Sequence, residues 1–228
     1  MKLLLDSDMF AYRIAASCKD EDIEVAKRTM KGFITDIIAA LYTGQDLTWK
    51  CFLSGSTNFR KDVAVTAPYK GNRTKEKPEH LQPLRDYLVD AWDATVSVDQ
   101  EADDDIAIAA EGDAEAVIVS LDKDFDQCVG LHYNFVKKEL YDVTYDEGML
   151  WFYRQFLIGD RIDNIIGADG IGLVKSLKLL EGKTELEMWN TVVECLGSEE
   201  RALENGQLLW LRKTPNQMWQ PPQENTNV

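Results

Sequence analysis

The chain has 228 residues, 45% of them hydrophobic and 10% aromatic, enough for one sizeable core or for one domain with a smaller appendage. Its 40 acids against 25 Lys and Arg give a formal charge of −15, the balance of a self-repelling protein that avoids polyanions unless its charges are segregated. No stretch approaches the roughly 18 apolar residues of a membrane span. Asp6 interrupts the opening MKLLLDSD too early for a secretory leader, and four scattered cysteines with no CxxC pair and two histidines argue against a structural zinc site. Free thiols in a reducing cytosol are expected.

In chain order, KLLLD predicts a short strand ending at Asp6. Residues 22–42 carry Ile23, Ala26, Met30, Phe33, Ile37, Ile38 and Leu41 at helical spacing. LTWKCFL (47–53) predicts a second strand, and 54–80, polar with Pro68, Gly71 and Pro78, a long mobile loop. A helix over 79–91, a strand at ATVSV, a helix from about Asp103 and a strand at AVIVSL follow. Further strands are expected near HYNFV and LYDVT. From about Asp146 the pattern is helical, and the end QPPQENTNV is polar and expected to fray. Alternating β and α units imply an α/β fold, a mostly parallel twisted sheet with helices on both faces, followed by a helical C-terminal part. The expected domains are 1–150 (α/β core), 151–215 (helical) and 216–228 (tail).

Three of the predicted strands run into carboxylates: Asp6 after the first, Glu101, Asp103 and Asp104 after ATVSV, and Asp122 and Asp124 after AVIVSL. Open parallel sheets bind ligands beyond the carboxyl ends of their strands, so these six groups are expected in one crevice. Asp160 and Asp163 in GDRIDN, three apart, face one way if that segment is a helical turn. So many carboxylates repel unless a cation lies among them. Hard divalent ions, Mg²⁺ or Mn²⁺, suit such all-oxygen sites, and a pair of them can hold both the attacking and the leaving oxygen of a displacement at phosphorus. Taken singly, Asp103 reads as a helix N-cap, and Asp105, Asp113 and Asp126 as solvated faces. DKDFDQ starts like a calcium loop but has Gln127 in place of the required Gly and Tyr133 in place of the final Glu.

Cations gather in 60–85: Arg60, Lys61, Lys70, Arg73, Lys75, Lys77 and Arg85, with Tyr69 inside PYKGNR. A basic loop beside an acidic metal cleft can hold a nucleic-acid backbone by its phosphates. Glycines 167, 170 and 172 in GADGIGLVKSLK form G-x-x-G-x-G, not the dinucleotide pattern. A turn of this kind between two helices offers backbone amides to a phosphate, with Lys175 and Lys178 on the next helix.

LLLDSD, NFRKD with PYKGNR, EADD, VSLDKDFDQ and GDRIDNIIGADGIG, in this order, resemble the flap-endonuclease (5′-nuclease) superfamily, and most of all the 5′→3′ exonucleases of short-tailed lytic bacteriophages. The resemblance covers residues 3 to about 180. It implies a PIN-like nuclease core and two divalent ions, Mg²⁺ or Mn²⁺, held by Asp6, Glu101, Asp103, Asp104, Asp122, Asp124, Asp160 and Asp163. Asp104 and Asp122 would then be central to catalysis, and Lys70 and Arg73 would contact the scissile phosphate. It implies DNA contacts by Arg60, Lys61, Tyr69, Gly167, Gly170, Gly172, Lys175 and Lys178, the last five in a helix-hairpin-helix-like element that can hold K⁺. The activity implied is 5′→3′ exonuclease or flap endonuclease action on duplex DNA with a 5′ end, nick or flap, and on RNA·DNA hybrids. The implied protein is a monomer of the host bacterial cytoplasm serving phage DNA replication, recombination or host DNA degradation. One departure stands out: where the family carries an Asp after its second strand, this chain has Ser54 and Gly55, leaving Asp8 or a water to fill the gap. A PIN-like endoribonuclease and a catalytically dead structure-specific DNA-binding protein are the alternatives.

Overall fold

The computed structural model describes residues 1–44, 46–74 and 76–223. Lys75, expected among the loop cations, and the end of the tail, 224–228, lie outside the described residues. By packing, the chain forms two compact units: an α/β unit of residues 1–57, 75–125 and 130–142, and a helical unit of 58–74, 126–129 and 143–228. Residues 58–74, most of the basic loop, thus pack with the helical unit.

The α/β unit is built on β1 (Lys2–Asp6), β2 (Thr48–Leu53), β3 (Thr95–Val96), β4 (Ala116–Val119), β5 (Gly130–Asn134) and β6 (Glu139–Val143), in the order β3-β2-β1-β4-β5-β6. From β3 through β5 every neighbouring pair is parallel. Apolar strand residues alternate between faces. Leu3, Leu5, Cys51, Leu53, Val117 and Val119 join one core with α1 (Ser7–Ser17), α2 (Ile23–Leu41) and α4 (Leu81–Trp92). On the other face α5 (Ala102–Ala110) lies against β1, β2 and β4. The predicted helix 22–42 is α2, started by Asp22, whose side chain accepts from the Glu24 amide at 2.8 Å. The order reverses between β1 and β4, and at such a switch point the two adjacent connections leave in opposite directions and open a crevice. Asp6 closes β1 at that crevice.

The helical unit contains α3 (Arg60–Val63), α6 (Tyr145–Ile158), α7 (Leu173–Leu180), α8 (Glu185–Leu196) and α9 (Glu199–Leu209), with a short antiparallel hairpin of β7 (Gly159–Asp160) and β8 (Ile165–Ile166). Capping boxes start α6 (Thr144 with Glu147) and α8 (Thr184 with Glu187). The core is aromatic: Phe152, Tyr153, Phe156, Trp189 and Trp219. The chain packs into this core as far as Trp219, just before the segment QPPQENTNV that is expected to fray. Trp219 is 5% exposed, and its ring lies so close to Gly206 that an added Cβ there would come within 2.5 Å of it.

Candidate active site

In the α/β unit, Asp6 is the last residue of β1 and the N-cap of α1, where it accepts from the Met9 amide at 3.2 Å. Its other oxygen accepts from Ser120 Oγ at 2.7 Å, and Ser120 Oγ in turn accepts from the Asp122 amide at 3.0 Å. Ser120 thus ties the end of β1 to the chain leaving β4. Burial pushes the Asp6 carboxyl up to about 6, and the Asp122 charge adds to the rise although both hydrogen bonds oppose it. Two neighbouring acids held close together have this signature. Asp122 Oδ1 accepts from the Asp124 amide at 3.0 Å, so the turn after β4 presents both residues from one compact loop.

Glu101 caps α5 in a reciprocal box with Asp104, whose Oδ2 accepts from the Glu101 amide at 3.1 Å. Asp104 is fully buried at the positive end of this helix. The N-cap is therefore Glu101, and Asp103 lies within the first turn. Asp105, expected on a solvated face, instead accepts from Ser97 Oγ at 2.5 Å and Gln100 Nε2 at 2.6 Å, tying α5 to the exit of β3.

The end of β2 carries no acid and has no room for one at Gly55, where an added Cβ would lie 2.1 Å from the Ser97 carbonyl oxygen. Asp8 does not fill the gap as an open carboxylate. Its Oδ2 accepts from the Ser54 amide at 2.6 Å and its Oδ1 pairs with Arg85.

In the helical unit, Asp160 and Asp163 lie on the β7–β8 hairpin, not on the expected helical turn. Asp160 Oδ1 accepts from the Ile162 and Asp163 amides at 2.6 and 3.2 Å, closing its own turn. Asp163 faces PYKGNR: Oδ2 accepts from Tyr69 Oη at 2.7 Å and lies 3.5 Å from Lys70 Nζ, while Oδ1 accepts from Arg73 Nη2 at 2.8 Å. Lys70 has φ of 56°, a left-handed backbone held by its amide donating to the Asp163 carbonyl at 2.9 Å. Asn72 and Asn164 add side-chain bonds between the same segments, to Arg161 O and Pro68 O. The supposed mobile loop is therefore ordered at 68–73.

Of the expected DNA contacts, Arg60 is buried in the core of its unit and Gly167 also has a packing role. Arg60 is 2% exposed, with Nε donating to Leu208 O and Nη2 to Trp210 O, both at 2.8 Å; it satisfies the carbonyls at the end of α9. Gly167 is required for packing, because an added Cβ would lie 2.4 Å from Leu157 O. Its own carbonyl accepts from Arg201 at 2.7 Å. Lys61, Gly170, Gly172, Lys175 and Lys178 are exposed, and Gly170 has φ of +67° with open space around it. A cleft of about 350 Å³ beside this turn is lined by Asn72, Asp160, Arg161, Asn164, Gly167 and Gly170, among others.

The donor set fits hard divalent cations: carboxylate oxygens only, at adjoining strand ends, with one acid raised by burial and by its neighbour. Among the described residues no three His, Cys, Asp or Glu side chains already stand close enough together to hold an ion. Asp6, Asp104 and Asp122 each accept a hydrogen bond from a local donor. Of the eight expected ligands, six belong to the α/β unit and Asp160 and Asp163 to the helical unit.

No family model matches the chain. Its sequence is 28% identical over 236 residues to a flap endonuclease Xni of Shewanella piezotolerans, covering 91% of this chain and 87% of the relative. Among solved structures it is similar to a bacteriophage T5 5′-exonuclease with bound zinc, with a TM-score of 0.67, 18% identity, and 92% and 89% of the two chains covered. It is also similar to a T5 flap endonuclease in a pseudo-enzyme-product complex with DNA and metal ions, with a TM-score of 0.64, 19% identity, and 91% and 88% covered. No helix among the described residues is long and apolar enough to cross a membrane, and the four cysteines are free thiols.

Proposed function

We infer that the chain, which belongs to the flap-endonuclease (5′-nuclease) superfamily, is a metal-dependent 5′→3′ exonuclease and flap endonuclease. Its substrate is duplex DNA with a 5′ end, nick or flap, and its site also suits the RNA strand of RNA·DNA hybrids. The observation that carries this reading is the acid set at the strand ends around the β1–β4 switch point, with Asp6 raised to about 6 by burial and by Asp122.

Asp6, Glu101, Asp103, Asp104, Asp122 and Asp124 are proposed as ligands of two ions, Mg²⁺ or Mn²⁺, with Asp160 and Asp163 as further carboxylates from the hairpin. Asp6 and Asp104 are the buried members, and the helix N-termini they cap fix their backbones. When bound, the ions lower the pKa of water and neutralise charge building on the phosphate. Lys70 and Arg73 bind the scissile phosphate; both lie on the turn held by Asp163, so little ordering remains on binding. Cleavage forms a bond from a water oxygen to phosphorus and breaks the bond to the 3′ oxygen, leaving a 5′-phosphate and a 3′-hydroxyl. No side chain becomes covalently attached.

Lys61, Tyr69, Gly170, Gly172, Lys175 and Lys178 are proposed to track the duplex backbone, with K⁺ as an added ion at the glycine turn. Tyr69, 8% exposed, acts chiefly by orienting Asp163. A monomer working in the host bacterial cytoplasm fits this role. Release of nucleotides from a 5′-labelled duplex in Mg²⁺ tests the reading: the native protein is expected to degrade it and the Asp122→Asn variant to fail. Equal release by both overturns the mechanism, and binding without cleavage in Mg²⁺ and Mn²⁺ selects a binding-only protein.

A further inference from the structure

The carboxyl end of β2 carries a cation, whereas β1 beside it and β4 beyond β1 lead into acids. Arg85 reaches it from α4, with its side chain 19% exposed. One Nη group pairs with Asp8 of α1, and the other donates to the Ser54 carbonyl. Ser54 completes the frame: its amide donates to Asp8 at 2.6 Å, and its Oγ accepts from the Ala102 amide at 3.0 Å, next to the cap residue Glu101. The guanidinium is therefore fixed from two sides, one residue away in this bonded chain from the acids that begin α5.

A partly buried ion pair that served stability alone could be replaced by apolar residues at little cost, and α4 has apolar neighbours Leu84 and Leu88 on its buried face. A guanidinium carries five N–H donors in a rigid fork. Asp8 and Ser54 take two, so three have no acceptor among the described residues. Such a preset fork suits phosphate oxygens, and it lies in the strand-end region where ligands of open parallel sheets bind.

We propose that Arg85 is a phosphate-binding residue of the α/β unit, presenting its remaining donors to a backbone phosphodiester of the nucleic acid, with Asp8 as the residue that positions it. The inference rests on the nuclease reading and adds a contact to it. Asp8 is thereby assigned to holding Arg85, not to filling the gap at the end of β2 as a metal ligand.

The test is the affinity of the protein for a fluorescent nicked duplex in EDTA, measured by anisotropy across a salt series. The variants are Arg85→Gln, Arg85→Lys and the double variant Asp8→Asn with Arg85→Gln, which leaves no unpaired buried charge. Loss of one phosphate contact lowers the slope of log K against log salt by about 1. Arg85→Gln and the double variant are both expected to show that change with about tenfold weaker binding, while Arg85→Lys retains most of the slope. Circular dichroism identifies the folded variants, and the double variant decides if the single one does not fold. A folded variant lacking Arg85 with an unchanged slope overturns the proposal, as does native affinity regained in the double variant, because the loss then belongs to the stranded Asp8. A native protein that neither binds nor cleaves the duplex removes the nuclease reading itself, a result distinct from failure of Arg85 alone.

Discussion

Asp163 of the helical unit and Asp6 of the α/β unit have opposite surroundings. In the helical unit Asp163 is matched by its own chain, with Tyr69, Lys70 and Arg73 all directed at its two oxygens. In the α/β unit Asp6 faces Ser120 and a backbone amide, with Asp122 as a like charge nearby and its pKa raised to about 6. The first arrangement is complete as folded and holds cations ready. The second brings like charges together in a buried place, and a sheet that accumulates acids at a switch point gains from a cation it binds. The difference separates residues that organise phosphate-binding groups from residues that await ions.

Four substitutions sharpen or break that contrast. Asp122→Asn is expected to cost most, on the order of 10³-fold in cleavage rate at saturating Mg²⁺, equal to about 4 kcal/mol of barrier; single-turnover kinetics measure it. Asp6→Asn is expected to abolish cleavage too, yet to stabilise the metal-free protein by about 3 kcal/mol at pH 7.5. The sign follows from the raised pKa: between the ordinary 3.8 and about 6 the folded state holds a proton that the unfolded state has lost, so stability falls as pH rises through this window. The gain from Asp6→Asn therefore vanishes below about pH 3, where both states are protonated, and urea melts at pH values on either side of the window test it. Lys70→Ala is expected to slow cleavage about 10²-fold with Mn²⁺ binding unchanged, as titration calorimetry would report. Asp163→Asn is expected to destabilise by about 1 kcal/mol, the opposite sign to Asp6→Asn, because it weakens the bonds to Tyr69 and Arg73, a half-exposed partner. Stabilisation by Asp163→Asn would erase the contrast.

Much of the α/β unit was legible because its strands are apolar runs that end in acids: β1 at Asp6, β4 ahead of Asp122 and Asp124, and α5 opening at EADDD. Periodicity likewise located α2 to within a residue at each end. The failures came where one residue's burial depends on contacts far along the chain. Arg60 reads as a loop cation, yet the carbonyls it satisfies lie about 150 residues onward, at Leu208 and Trp210. Trp219 sits among polar residues and gives no periodic signal, although the preceding small residue Gly206 makes its slot. The i, i+3 acids of GDRIDN would face one way in a helical turn, but Asp160 bonds the amides of its own turn and makes a hairpin instead. The pairing of Arg85 with Asp8 joins two helices 77 positions apart and has no local mark in either.

Anomalous diffraction from crystals soaked in Mn²⁺ tests the central claim most directly. The account requires manganese peaks bounded by Asp6, Glu101, Asp104 and Asp122, with those side chains turned from their present donors towards the ions. Crystals that take up manganese elsewhere, leaving these four carboxylates on Ser120 and the backbone amides, would contradict it.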